Sequence, residues 1–478
     1  MLEKYEPKDV LYWFEELTKI PRCSKNEEKV SEFVLNFAKE RGLYAKRDDL
    51  YNVIVKKPAT KGLENGPTVI LQGHMDMVCE KTLDSNHDFC KDPLSLKVED
   101  GYLMADSTTL GADDGIAVAY CLAILDSDDI PHSNLEVLFT TQEELAMDGA
   151  SAVKQEDLEG KYLFNIDGEV EGDLLVGCAG AYTITSKRKI EFRKPSLEKA
   201  YSLSISGLTG GHSGQEIEKF RANSIKMLTR ILEDVEGVEL SYIEGGSKHN
   251  AIPIVSKALL YANDEAVKEI ENRIEEIKFE HRETDPNLEA TLSEIKELPE
   301  KVWDEKSQKD VLSAFMAMAD GVLYMDYAFP GLVQTSISNG ILRQEEDTIS
   351  LVALLRSSML SSLLETKKSY EIIMKAFGFE VSDDGGYPAW EYDPDSKLRK
   401  MGIEVYKEMY NEEPNVHTIH CGLECGILKK SLTETDMLTF GPQMYDIHTP
   451  KERINLESVE RVWEYTKRLL YKVSSSEK

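Results

Sequence analysis

The feature that most restricts the fold is a set of strand-like apolar runs, each followed by a side chain able to bind a metal. PTVILQG leads into His74, LEVLFTTQ into Glu143 and Glu144, KYLFNI into Asp167, and LTFGPQM into the segment that carries His448. Asp113 opens a stretch of helical character that runs from Gly115 to Asp126. Helical periodicity also marks residues 7–20, 26–42 and about 456–473. Alternation of this kind predicts a three-layer α/β domain. In an open α/β sheet, reactive groups collect beyond the carboxyl ends of the strands. One histidine or acid after a strand is most often a packed side chain or a helix cap. His74, Asp113, Glu144, Asp167 and His448 together point to one shared site.

At 478 residues the chain is too long for one ordinary core, so two domains, or one domain with a large insertion, are expected. A net charge of −31 argues against nucleic acid and anionic membrane, because phosphate binding needs clustered Lys and Arg. The N-terminal MLEKYEPKDVLYWFEEL carries acids from its third residue and reads as an amphipathic helix rather than a secretory signal. No apolar run is long enough to span a bilayer. The seven cysteines are scattered, and CGLEC lacks a second pair that would complete a structural zinc site. Reduced thiols in a cytoplasmic protein are therefore expected.

After GCAGAYT the pattern changes. From about residue 184 to 386 amphipathic strands and helices follow without further metal-ligand fragments. YSLSISGLTG, SIKMLTRILEDVE, VELSYIEGG and AIPIVSKALLYA read as strand, helix, strand and strand, with a long charged helix after them. LEATLSEIKEL, SQKDVLSAFMAMA, TSISNGILRQ and ISLVALLRSS repeat the order. Two β-α-β-β copies would form one antiparallel sheet covered by helices. The expected division is a catalytic domain of residues 1–183 and 387–478, interrupted by an α+β lid of residues 184–386.

Two imidazoles and three carboxylates suit a pair of borderline cations such as zinc, although manganese and cobalt accept similar sets. Such a pair, roughly 3.5–4 Å apart, activates water and clamps a substrate carbonyl oxygen, which points to amide hydrolysis. Of the adjacent acids in GADDG only one bridges easily; Asp113 takes that role and Asp114 supports the turn. Asp76, two residues after His74, suits an acceptor for the second imidazole nitrogen. Glu143 and Glu144 cannot both reach one metal from a regular backbone. Glu144 is assigned as ligand and Glu143 as the general base that later protonates the leaving amine.

QGHMDMV, LGADDGIAVAY, TQEELAMDGA, NIDGE, GLTGGHSG, HCGLECG and the His448 segment resemble the aminoacyl-histidine dipeptidases, or peptidase D. These are dinuclear zinc peptidases, like carboxypeptidase G, peptidase T and the aminoacylases. The resemblance implies a two-metal catalytic domain with a lid, acting on unblocked dipeptides, often with C-terminal histidine as in carnosine-like substrates. It also implies a cis peptide between Asp113 and Asp114. His212 in TGGHSG matches the lid histidine that hydrogen-bonds the polarised carbonyl oxygen, and Arg356 in LLRSSM matches an arginine that holds the substrate carboxylate. Asn250 and Asn339 fall at supporting polar positions. His420 and Glu424 line the substrate pocket in this reading, with satisfaction of buried backbone as the other role for Glu424. Cys421 stands where a small residue such as alanine often appears, and it bears on side-chain preference. The same scaffold would also serve an N-acyl amino acid deacylase or a tripeptidase. A non-catalytic descendant is disfavoured because every ligand and the base are present. The partner expected is a small peptide; two lid copies would supply the lid histidine within one chain, which leaves a homodimer open.

Overall fold

The computed structural model describes residues 1–476. The chain divides into two compact units: Met1–Gly177 with Tyr392–His417 and Leu423–Lys478, and Cys178–Glu391 with Thr418–Gly422.

The first unit is built on an eight-stranded sheet ordered Tyr44–Arg47, Val53–Lys57, Leu135–Thr140, Val69–His74, Tyr162–Asn165, Asp436–Thr439, Asp173–Cys178 and Asn415–Ile419. Leu135–Thr140, Val69–His74, Tyr162–Asn165 and Asp436–Thr439 run parallel to one another, and antiparallel strands flank them. The first three of these are buried at every position. A strand covered on both faces reads as a continuous apolar run rather than an alternating one. The helix Ala112–Asp126 packs on Val69–His74 and is buried from Ala112 to Leu125. Asp113 and Asp114 at its start have non-helical φ/ψ, so the regular turns begin near Gly115, as the residue pattern predicts. Gly73 lies so close to this helix that a Cβ would come within 2.7 Å of the Ala117 methyl. The helix Lys397–Tyr410 packs against both Asp436–Thr439 and the final helix Leu456–Ser474.

The second unit is one antiparallel sheet ordered Glu289–Ile295, Ala200–Ser206, Ser256–Ala262, Val238–Gly245, Val333–Glu345, Thr348–Ser357, Gly180–Lys189 and Glu380–Asp383, with Gly321–Met325 also paired to Val333–Glu345. Four helices, Ser224–Leu232, Asp264–Glu280, Glu305–Ala317 and Leu360–Ala376, bury Leu228, Ile270, Val311 and Tyr370 in its core. Two copies are present, but the first, Ala200 to Ile295, is inserted after the first strand of the second, which changes the strand expected to belong to each. Glu289–Ile295 pairs with Ala200–Ser206, register Leu203↔Leu292, and so completes the first copy. The second copy takes its own first strand from Gly180–Lys189, which pairs with Thr348–Ser357 along its whole length. Apolar alternation marks a strand without naming its neighbour, so the pattern alone placed Glu289–Ile295 in the wrong copy.

The expectation of reduced thiols is corrected for one pair. Cys23 and Cys79 form a disulfide with Cα atoms 5.7 Å apart, within the usual range. A backbone bridge between Cys23 and Met77 brings together the two cysteines, which are 56 residues apart, a proximity the spacing conceals. Among the described residues no helix is long and apolar enough to cross a membrane.

Candidate metal centre

His74 ends the central parallel strand Val69–His74 with its ring buried. Its Nε2 lies 3.1 Å from Asp113 Oδ1 and 3.7 Å from Asp167 Oδ1. The other oxygen of Asp113, Oδ2, lies 3.1 Å from His448 Nε2. That nitrogen is also 2.9 Å from Glu144 Oε2. The two oxygens of one carboxylate thus face two different imidazoles, the arrangement required of a bridge between paired cations. His74, Asp113 and Glu144, and likewise His74, Asp114 and Asp167, offer ligand atoms within 4.8 Å of one another. Asp114 is better used by the fold than by an ion, because its Oδ2 accepts the His74 backbone N–H at 3.1 Å. The Asp113–Asp114 peptide is cis, as the resemblance implied.

Local backbone places these groups. Gln142 and His448 both have positive φ, 56° and 61°, an uncommon state for residues with a Cβ that is retained where a site needs it. Gln142 lets the chain turn off the strand Leu135–Thr140 into the short helix Glu143–Ala146. Asp76 anchors the first turn of that helix: its Oδ1 accepts the Glu143 N–H at 3.1 Å and its Oδ2 accepts the Glu144 N–H at 3.3 Å. Ser24 donates to the same Oδ2 at 2.8 Å. On the His74 side, Nδ1 sits 3.2 Å from the Asp76 carbonyl and 3.5 Å from its carboxylate, which orients the ring with Nε2 toward the acids. Glu143 Oε2 stands 3.9 Å from His74 Nε2, beyond hydrogen-bond reach and beside the cluster.

The donor set fits divalent cations electrostatically. Burial, with Asp113 adding, pushes the Asp167 carboxyl up to about 6. Burial, Asp113 and Asp167 push Glu169 to about 7. Glu143 rises through burial, with Asp167 and Glu144 reinforcing it against His74. Hydrogen bonds to Asp113 and Glu144 in turn raise His448 to about 11. Burial alone would raise Asp113, but His448 and His74 outweigh it and hold it low. Protonated imidazoles thus balance crowded acids here. Bound dications would supply the same positive charge while neutral imidazole serves as ligand.

Of the residues expected around substrate, Glu424 is the one in the first unit. It has no exposed surface; its Oε2 accepts from Gln72 Nε2 at 2.6 Å and from Thr140 Oγ1 at 2.8 Å. Gln72 in turn accepts from Asn165, so Glu424 braces the strands beneath the site, which corrects its place among pocket-lining residues. The second unit holds the others. His212, on Gly211–His212, pairs with Ala251, the residue after Asn250. Its Nδ1 accepts the N–H groups of Gly214 at 3.2 Å and Gln215 at 3.1 Å. Cys421 Sγ lies 3.8 Å from the same nitrogen. Asn250 contributes its carbonyl, which accepts the Ser213 N–H at 2.9 Å. Arg356 is buried opposite Ser336, and its Nη1 donates to Tyr387 Oη at 3.0 Å. His420 pairs with Ser336 Oγ at 2.7 Å, and burial, with Arg356 adding, lowers it to about 3. Asn339 is drawn elsewhere. Its Nδ2 donates to the Ala319 carbonyl and to Asp320 Oδ1, both at 3.0 Å, so of its amide only Oδ1 is left without a partner.

Glu169, Ser24 and Tyr387 adjoin the candidate site residues without belonging to the motifs. Glu169 had a signal: it follows Asp167 by two residues, as Asp76 follows His74. The others lie far along the chain from the motifs they touch, and composition gives no mark of them.

A parallel α/β sheet with a two-faced aspartate between imidazoles, beside a glutamate not paired with either, defines a metal-dependent hydrolase. Residues 70–472 match the peptidase family M20/M25/M40, and the chain belongs to that family. It is similar to the cytosol non-specific dipeptidase of Escherichia coli (strain K12), 34% identical over 485 residues that cover 99% of each chain. The crystal structure of an aminoacylhistidine dipeptidase from Vibrio alginolyticus superposes with a TM-score of 0.92 at 32% identity, covering 98% of this chain and 97% of that one. A tripeptidase from Staphylococcus aureus shares the fold, with a TM-score of 0.58, 16% identity, and coverage of 99% of this chain and 100% of that one.

Proposed function

We propose that the protein is a metal-dependent dipeptidase that hydrolyses unblocked dipeptides, Xaa-His among them. The observation that carries the reading is the Asp113 carboxylate, whose two oxygens face His74 and His448 beside Glu143. The names of the E. coli and Vibrio relatives support it. His74, Asp113 and Asp167 would hold one ion and Asp113, Glu144 and His448 the other, with zinc as the metal. When bound, such a pair polarises the scissile carbonyl and lowers the pKa of water.

The remaining work falls to the chain's own groups. Glu143 takes the proton of the attacking water and returns it to the departing amine. Asp76 holds Glu143 and Glu144 by their backbone and aims the His74 ring. Burial, with Arg356 adding, depresses the His212 pKa, so the ring is neutral; with Nδ1 accepting two N–H groups, its proton sits on Nε2. That is the form that donates to a carbonyl oxygen as it gains charge. Arg356, steadied by Tyr387, pairs with the substrate carboxylate. In this reading the second unit is the lid and the protein is cytoplasmic, as the name of the E. coli relative has it.

The test is a panel of unblocked dipeptides, including Xaa-His, beside tripeptides and N-acyl amino acids, assayed after chelation and after zinc, manganese or cobalt is restored. Dipeptide hydrolysis lost on chelation and regained with metal is expected. Turnover confined to tripeptides or N-acyl amino acids would replace the reading.

A further inference from the structure

Two oppositely charged side chains of the first unit are buried outside the candidate ligand set, Arg22 and Glu452, each 2% exposed. Their hydrogen bonds run to the backbone of the ligand-bearing loops. Arg22 Nη1 donates to the carbonyls of Met75 at 3.0 Å and Asp76 at 3.1 Å, and Nη2 donates to the Gly111 carbonyl. Glu452 Oε2 accepts the N–H groups of Leu110 at 2.8 Å and Gly111 at 3.0 Å. Its Oε1 accepts from Ala112 at 2.7 Å and, more weakly, from Asp113 at 3.5 Å. Gly111 is gripped from both sides, its carbonyl by Arg22 and its N–H by Glu452. Its φ of 66° and the 2.5 Å that would separate a Cβ from Arg22 Nη2 make glycine obligatory there.

These bonds connect three pieces of chain. Arg22 ties the segment after His74 to the turn before Asp113. Glu452, four residues after His448, ties that turn to the loop that carries the second imidazole. Burying two ions carries a desolvation cost of several kcal/mol each, and packed apolar residues commonly stabilise a fold as well or better. What apolar residues lack is the ability to hold carbonyls and N–H groups at fixed positions. We infer that Arg22 and Glu452 are positioning residues that fix the Asp113 carboxylate between His74 and His448, and thereby set how tightly a pair of divalent cations is held. The inference rests on the metal-dependent reading above.

The experiment is a cobalt(II) titration of metal-free wild type, E452Q and R22K, followed by calorimetry and by the visible absorption of bound cobalt. Glutamine turns an NH2 toward backbone N–H groups, and lysine cannot reach three carbonyls at once. Each variant is expected to bind at least one equivalent about 10–100-fold more weakly, with shifted cobalt bands. Wild-type affinity and spectrum in both variants would overturn the inference, even if the metal-free variants unfold more easily, since a merely structural role moves stability alone. Should E452Q fail to fold, R22K decides by the same two outcomes. Wild type that binds no pair of ions would overturn the metal reading and the inference with it, whereas normal wild-type binding with unaltered variants sinks the clamp alone.

Discussion

The backbone N–H of Glu143 donates to Asp76 Oδ1 at 3.1 Å, joining two residues 67 positions apart that lie just beyond the ends of neighbouring parallel strands. Asp76 is saturated on both oxygens, by Glu143 on one and by Glu144 and Ser24 on the other. Asp76→Asn leaves a single acceptor oxygen and turns an NH2 toward an N–H. The proposed base and one proposed ligand then lose their common anchor. A fall in kcat of about 10–100-fold is expected, with KM little changed, since the residue does not face substrate. Steady-state kinetics on a dipeptide checks it, and an unchanged kcat would show that the anchor is dispensable.

In the proposed reading Glu143 is the base and not a ligand; its Oε2 lies beside the cluster, 3.9 Å from His74 Nε2. Glu143→Ala should therefore keep both equivalents of metal while kcat falls about 10²–10⁴-fold, the range of a general acid–base group. Metal analysis and turnover on one preparation test this together. Loss of metal along with activity would make Glu143 a ligand.

The site was legible in part because His74, Glu144 and Asp167 come just after or at the end of strands buried at every position, each with three apolar residues in a row. His74, Glu144, Asp167 and His448 converge as those runs predict. Sequence could not show which side chains the sheet would bury. Glu424 reads as a polar residue in a glycine-rich loop, yet it lies under Gln72 and Thr140 with no surface exposed. Asn339 looks available until Asp320, nineteen residues earlier, is seen to take its amide. The two copies were expected, but which strand belongs to which was not legible, for a related reason: only the ladder of Gly180–Lys189 to Thr348–Ser357 assigns that strand.

Glu424 also makes the metal-free protein sensitive to pH. Burial raises its carboxyl from an ordinary 4.5 to about 7, with Asp167 and Asp76 adding to the shift against His74 and Thr140. A folded-state pKa above the unfolded value contributes stability that is whole below pH 4.5 and is lost as pH rises through 7. The slope is about 1.4 kcal/mol per pH unit in that window. Glu424→Gln removes the titration while keeping an oxygen for Gln72 and Thr140. Urea unfolding of metal-free wild type and variant between pH 4.5 and 8 should give curves that meet near pH 4.5, diverge up to pH 7 and keep a constant offset above it, the variant being the more stable. Parallel curves would mean that Glu424 does not titrate there.

His212 offers a test of the lid chemistry that leaves the metal ligands untouched. Its Nδ1 accepts from Gly214 and Gln215, and depression of its pKa by burial and by Arg356 keeps the ring neutral above pH 6.5, with the proton on Nε2. His212→Ala removes that donor, and kcat should fall about 10²–10³-fold with metal content intact, as for loss of one oxyanion donor. Gly214→Ala reaches the same group indirectly. The added methyl would lie 2.6 Å from the His420 carbonyl, 2.8 Å from Cys421 Sγ and 3.1 Å from the His212 ring. The carbonyl clash is the severe one, so the backbone at 214, whose own N–H donates to Nδ1, must shift and that acceptor bond weakens. A folded, metal-replete Gly214→Ala protein should then resemble His212→Ala in kcat. Because the ring is neutral already, neither variant should move the acid limb of the pH–rate profile above 6.5; a shift of that limb would mean that His212 acts as a protonated acid instead.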